Sequence, residues 1–269
     1  MGKIITVSSH KGGVGKTTTV LNLGYSLSRL GQKVLLVDGD PQGGMTIASN
    51  LKKRTTLGLV DLLRDPSKAG SVIIPTRDKT MALVGTGISE PKDAFFFERE
   101  ARKGNLGQAI RSIAGGYDYV FIDAPAGISS IVTVLLATSD SVLIPMNCRT
   151  LAIKTFPSFL RLIQNVRAKI NSDLRLEGVL ITMMDHRNPS ELKVCEEVRR
   201  AFPQSVFYET TIPFDDNFEK SNASAAPVAF LPEAEEATRS YMDLAMELKI
   251  REIQDAAKGE SDEQVEGLF

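Results

Sequence analysis

Five short runs rich in Val, Ile and Leu recur along the 269 residues: IITV at 4–7, VLLV at 34–37, YVFI at 119–122, SVLI at 141–144 and GVLI at 178–181. They are continuous rather than alternating, and a strand apolar on both faces must be covered on both faces. Helical patterns separate most of them, at about 16–30, 98–114, 157–170, 189–201 and 233–257. Further strands are expected in TMALVGTG (80–87) and SVFYETTIP (205–213). The fold class is therefore α/β: a doubly wound, mostly parallel sheet flanked by helices. Residues 1–257 read as a single domain, and the acidic, small-residue-rich 258–269 as a disordered tail.

The first of these strands runs straight into SSHKGGVGKTTT, a glycine-rich turn that opens the first helix. That context is the one a phosphate-binding loop requires. Gly12, Gly13 and Gly15 let backbone N–H groups, with those of Val14, Thr17 and Thr18, turn towards phosphate oxygens at a helix N-terminus. Lys16 is placed to reach the β and γ phosphates, and the Thr17 hydroxyl to ligate Mg²⁺. The strict pattern asks for glycine at the loop's first position, where His10 stands. Two later strands end in acid: VDGDPQGG carries Asp38 and Asp40, and YVFIDAP ends in Asp123, in the form of a carboxylate that holds the metal.

Composition excludes other classes. A formal net charge of −1 provides no global field for nucleic acid, so any such contact must be a local patch. Cys148 and Cys195, with His10 and His186, are too few and too scattered for a zinc site or disulfide framework, which suits a reducing cytoplasm. No apolar run approaches the ~20 residues that span a bilayer.

Lys11 lies five residues before Lys16, where its side chain cannot easily fold back into its own cradle. With that early lysine, the Gly-Lys-Thr, the D-x-D-P-Q run and the strand-end Asp123, the chain resembles the ParA/MinD group of deviant Walker-A ATPases. The resemblance covers most of residues 3–250 and implies a P-loop ATPase using ATP and Mg²⁺. It further implies a homodimer around two nucleotides, with Lys11 contacting the partner's ATP. It gives Lys16 and Lys11 to charge stabilisation, Asp40 to the attacking water, and Thr17, Asp123 and Asp40 to the metal side. Met184, Asp185, Arg187, Pro213 and Phe214 stand where relatives hold the base; Arg187 fits a solvated loop charge equally well.

TTTVLNLGYSLSRLGQKVLLVDGDPQGG looks most like the small ParA type, which lacks an N-terminal helix-turn-helix; here the loop follows after nine residues. That type implies non-specific DNA binding by the ATP dimer, hydrolysis stimulated by a ParB-like or other cargo-adaptor protein, and a cytoplasmic, nucleoid-associated location. Between Ser141 and Ser172 stand Arg149, Lys154, Arg161, Arg167 and Lys169 with no Asp or Glu. Lys154, Arg161 and Lys169 are the candidate DNA contacts, and the same pattern fits a solvated helix face. Pro157 suggests that this helix starts near Phe156, with Lys154 in the preceding loop. Relatives often carry arginine directly after the Ile-Pro pair, where this chain reads Ile212-Pro213-Phe214-Asp215-Asp216. The two aspartates would repel DNA there, which displaces a DNA surface towards the basic helix or points to a track other than DNA. The alternative is a MinD-like membrane-associated switch. Its basic C-terminal amphipathic helix is poorly matched by REIQDAAKGESDEQVEGLF, with two basic and six acidic residues, so no stable membrane association is expected.

Overall fold

Seven strands run through the computed structural model, which describes residues 2–77 and 79–266 except the side chains of 150–153 and 258–266. They are β1 (Lys3–Val7), β2 (Val34–Asp38), β3 (Ile74–Pro75), β4 (Met81–Val84), β5 (Tyr119–Asp123), β6 (Ser141–Asn147) and β7 (Arg175–Thr182). Their order is β3-β4-β2-β5-β1-β6-β7, and every pairing is parallel except β3 against β4. The expected doubly wound sheet is therefore present, with β1 inside it between β5 and β6. Ligands of such sheets bind beyond the carboxyl ends of the strands, where the order of strands reverses.

The helices are α1 (Lys16–Arg29), α2 (Gly44–Ala48), α3 (Leu59–Arg64), α4 (Ala69–Val72), α5 (Pro91–Arg102), α6 (Asn105–Ile113), α7 (Ser130–Thr138), α8 (Thr150–Lys169), α9 (Pro189–Ala201), α10 (Asn217–Ala223) and α11 (Glu235–Glu266). Alternate residues of each central strand face opposite layers, as the two-residue pleat requires. Ile5, Val7, Val34 and Leu36 pack with Leu23 and Leu27 of α1 and Leu244 of α11. Ile4, Leu35, Val37 and Ile122 pack with Leu59, Phe97, Ile110 and Leu135 from α3 and α5–α7. The β6–β7 flank has its own layer, in which Val142, Ile144 and Ile181 meet Phe159, Ile163 and Val198 of α8 and α9.

Three expectations are corrected. The single helix at 98–114 is two, α5 and α6, because Gly104 between them takes a left-handed φ of 83° that an α-helix cannot carry. The helix bearing the basic residues starts at Thr150, so Lys154 is helical; Pro157 lies inside α8, which continues past the N–H the proline lacks. Residues 205–213 do not form a strand: a short 3₁₀ turn (Gln204–Val206) precedes two single bridges, Val179 to Phe207 and Met184 to Pro213. The cause is a competing acceptor. Glu247 on α11 takes the backbone N–H groups of Glu209 and Thr210 at 2.8 and 2.9 Å, removing donors that a ladder would need. The expected tail at 258–269 falls outside the residues whose side chains are described.

Tyr208 lies flat where Gly178 has no side chain, with the Cε2 atom 2.6 Å from where a Cβ would stand. Gly178→Ala must displace a fully buried ring and is expected to cost about 2 kcal/mol, a fall in Tm of roughly 5 °C. Thermal unfolding of the purified variant checks it.

Candidate functional site

The carboxyl ends of β1, β2 and β5 converge on one crevice. The β1–β5 register sets Val7 opposite Asp123, and that of β2–β5 sets Asp38 opposite Asp123. The loop leaving β1 turns through Gly13 and Gly15, whose φ values of 69° and 82° are left-handed and favour glycine. Gly13 is exposed, and a Cβ there would meet nothing within 4 Å, so the loop is open to solvent at this point. Gly15 caps α1 without a side-chain hydrogen bond, which leaves the first N–H groups of the helix free for a ligand. Thr182, at the end of β7, donates to the Val14 carbonyl at 2.9 Å and fixes the loop from outside.

Lys16 is buried, and its ammonium reaches back to the Lys11 carbonyl at 3.4 Å. Burial lowers its pKa, opposed by the charges of Asp123 and Asp40. The Thr17 hydroxyl donates to Asp123 Oδ2 at 2.6 Å, while Asp123 Oδ1 is buried without any partner. Burial first, then the Asp38 charge, pushes Asp123 up to about 8. Asp38 is engaged elsewhere. Its Oδ2 accepts from the Thr46 N–H at 2.7 Å and from the Thr46 hydroxyl at 2.5 Å, tying the β2–α2 turn down. Asp40 is half-buried, with one oxygen accepting from the Gln42 N–H at 2.9 Å.

These residues fit a magnesium-bound nucleotide. A hydroxyl beside an unpaired buried carboxylate oxygen matches a hard cation, and the cradle with Lys16 matches phosphates. The five residues expected at the base fall on two linked loops. Phe214 N–H donates to the Met184 carbonyl at 3.0 Å, and Met184 bridges to Pro213. Met184 is buried and Phe214 is 54% exposed. Asp185 and Arg187 pair with one another at 2.9 Å on the loop surface. Lys154, Arg161 and Lys169 are all exposed on α8, away from the crevice floor. Thr46 and Thr182 have no signal in the sequence, since neither belongs to a motif and only the folded chain brings them to Asp38 and Val14.

A Gly-rich loop between β1 and a helix, with a strand-end carboxylate bonded to the loop's threonine, defines a P-loop nucleotide hydrolase. Comparisons with known proteins narrow this. A family described as an AAA domain matches residues 2–176. The sporulation initiation inhibitor protein Soj of Bacillus subtilis (strain 168) is 34% identical over 253 residues, 92% of this chain and 98% of that protein. The septum site-determining protein MinD complexed with Mg-ADP from Pyrococcus horikoshii OT3 superposes with a TM-score of 0.78 at 21% identity, covering 92% and 96% of the two chains. Cobyrinic acid a,c-diamide synthase from Mycobacterium smegmatis with bound ATP analog and magnesium gives 0.74 at 26% identity, covering 91% and 93%. The chain belongs to the ParA/MinD family of partition ATPases, and it is an ATPase.

The raised carboxyls give a pH dependence. A carboxyl whose pKa rises on folding contributes stability that is fully present below its ordinary value of 3.8 and is lost as pH rises through the folded value. For Asp38 that window closes at about 6 and for Asp123 at about 8. The metal-free protein is therefore expected to lose Tm between about pH 4 and 8, with Asp123→Asn flattening the upper part. Calorimetry at about pH 7 is expected to show Mg²⁺-nucleotide binding releasing about one proton more from the wild type than from Asp123→Asn.

Proposed function

We propose that this protein is a ParA-type switch: two copies close around two ATP molecules, the closed pair binds non-specific DNA, and a partner protein stimulates hydrolysis and release. Its service is the partition or positioning of a chromosome, plasmid or other large cargo. The observation that carries this reading is the contrast between the two loop lysines. Lys16 is buried over its own loop, whereas Lys11 is half-exposed and its ammonium makes no ion pair among the described residues. The Lys11 carbonyl is held from within the subunit, by Lys16 at 3.4 Å and by the Ser9 hydroxyl at 2.8 Å, so the backbone is fixed while the cation stays free for a second subunit.

The chemistry asks for positioning and charge more than covalent work. Thr17 and Asp123 would hold Mg²⁺, which would supply positive charge beside the phosphates. Lys16 neutralises the phosphate oxygens from within the subunit, and Lys11 does so from the other subunit. Asp40, half-buried at the crevice edge, orients the attacking water. A cation arriving only on dimerisation gates hydrolysis, which suits a slow switch rather than rapid turnover.

Three features support the DNA part. Soj of Bacillus subtilis and the chromosome partitioning protein ParA of Myxococcus xanthus, 32% identical over 254 residues, are relatives of full length. Lys154 and Arg161 are exposed on α8 about two helical turns apart, and so share a face. Phe156 and Phe159 of the same helix line a small cavity with Lys11 and Val14, so the basic helix rests against the phosphate loop.

Lys11→Ala is expected to lose both the ATP-dependent dimer and DNA binding, read by light scattering and by mobility shift on random-sequence DNA. Asp40→Ala is expected to trap a DNA-bound dimer with hydrolysis reduced at least about a hundredfold. Arg161→Glu is expected to keep ATP binding and the dimer while DNA binding falls and its salt dependence flattens. Normal DNA binding by Arg161→Glu across salt concentrations removes α8 from the interface. ATP-dependent sedimentation of the wild type with anionic vesicles turns the reading to the membrane-associated alternative.

A further inference from the structure

A groove of about 1290 Å³ opens at the end of the sheet opposite the phosphate loop. Lys3, Ser141 and Arg175, each at the start of its strand, form one side, and α11 from Asp243 to Ala256 forms the other. That stretch of helix makes a wall about 20 Å long. The volume exceeds the roughly 300–1,000 Å³ of a small-molecule site, and the length matches about four turns of a second helix.

The floor is apolar and open to solvent. Met246 and Ile250 stand one turn apart on α11, 43% and 53% exposed, and Leu176 of β7 is 37% exposed across from them. The stripe runs on at Ile253, which is 68% exposed. Such a row of aliphatic side chains left in water at helical spacing marks a surface that is covered in use.

The rim is acidic. Eight carboxylates line the groove against three basic side chains. Two of those cations are already engaged, Lys3 by Glu177 and Glu252 at 2.8 and 2.9 Å and Arg251 by Glu247 at 2.7 Å. Asp173, Glu209 and Asp255 are exposed and make no salt bridge among the described residues. This charge opposes DNA and anionic lipid and favours a cation. A second copy has no suitable helix in α8, whose apolar residues Phe159, Ile163 and Val166 are spent in its own core.

We propose that this groove docks a lysine- or arginine-rich amphipathic helix of about four turns, carried by a partner protein of a different chain. The apolar face of that helix lies on Met246, Ile250 and Leu176, and its cations meet Asp173, Glu209 and Asp255. The inference stands apart from the DNA reading, because neither nucleotide nor DNA enters it. Its site also lies on an element in contact with the ATPase machinery, since α11 packs along α1 and the Tyr241 hydroxyl is 3.3 Å from that of Thr19.

The test uses the full chain and two labelled synthetic helices of about four turns, one patterned with Leu and Lys and the other with Leu and Glu, followed by fluorescence anisotropy at low and high salt. The Leu/Lys peptide is expected to bind, more weakly at high salt, and to slow amide exchange in residues 243–256. Glu209→Lys with Asp255→Lys is expected to weaken binding at least about tenfold, and Ile250→Gln about fivefold. Glu98→Lys, a reversal on the exposed face of α5, is expected to leave it unchanged. Circular dichroism of each variant confirms folding. Equal binding of the Leu/Glu peptide, equal loss in Glu98→Lys, protection confined to residues that do not line the groove or absence of binding each overturns the proposal. So does binding of anionic vesicles that Ile250→Gln abolishes.

Discussion

The hydrogen bond from Thr17 to Asp123 is the point on which the site depends. It joins the first turn of α1 to the end of β5, two segments 106 residues apart in the chain. The bond forms because β1 pairs with β5 in a register that ends on Val7 opposite Asp123. A slip by one residue would turn every side chain of the strand to the opposite layer, so the packing of Ile5 and Val7 on one face and Ile4 on the other holds the carboxylate in place. The same burial leaves Asp123 Oδ1 without a partner, a cost that a bound cation relieves.

From that point α1 carries the site into the rest of the molecule. Its first turn bears Lys16 and Thr17, and further along, Asn22 accepts the buried Val228 N–H at 2.8 Å. Tyr241 of α11 meets Thr19 on the same helix. The turn at Val228 and α11 are thus bonded to the helix that opens directly after the glycine-rich loop.

Much of the architecture was legible because burial on two faces writes itself into a strand. Runs such as VLLV and YVFI can only be central strands, and β2 and β5 are where those runs lie. The segment 205–213 reads the same way, yet Glu247 takes its backbone donors, and that carboxylate arrives from α11, far along the chain. Pro157 argues for a helix start, but α8 continues through it, packed on the β6–β7 flank by Phe156, Phe159 and Ile163. Local propensity was overruled in both cases by contacts that no local window contains.

The sequence by itself determined the phosphate loop and its lysines, the acidic strand ends and the layered α/β plan, because each rests on residue types and spacings within one strand-turn-helix unit. Only the tertiary structure decided what each acid does. Asp38 and Asp40 are near neighbours in the chain and chemically identical, and they separate because the chain folds Thr46 onto the first and leaves the second at the crevice edge. It also decided that Thr182 steadies the loop, and that an acidic groove with an apolar floor lies at the opposite end of the sheet. These are properties of side chains brought together from distant segments, and the free energy of burial and pairing that assembles them belongs to the whole fold.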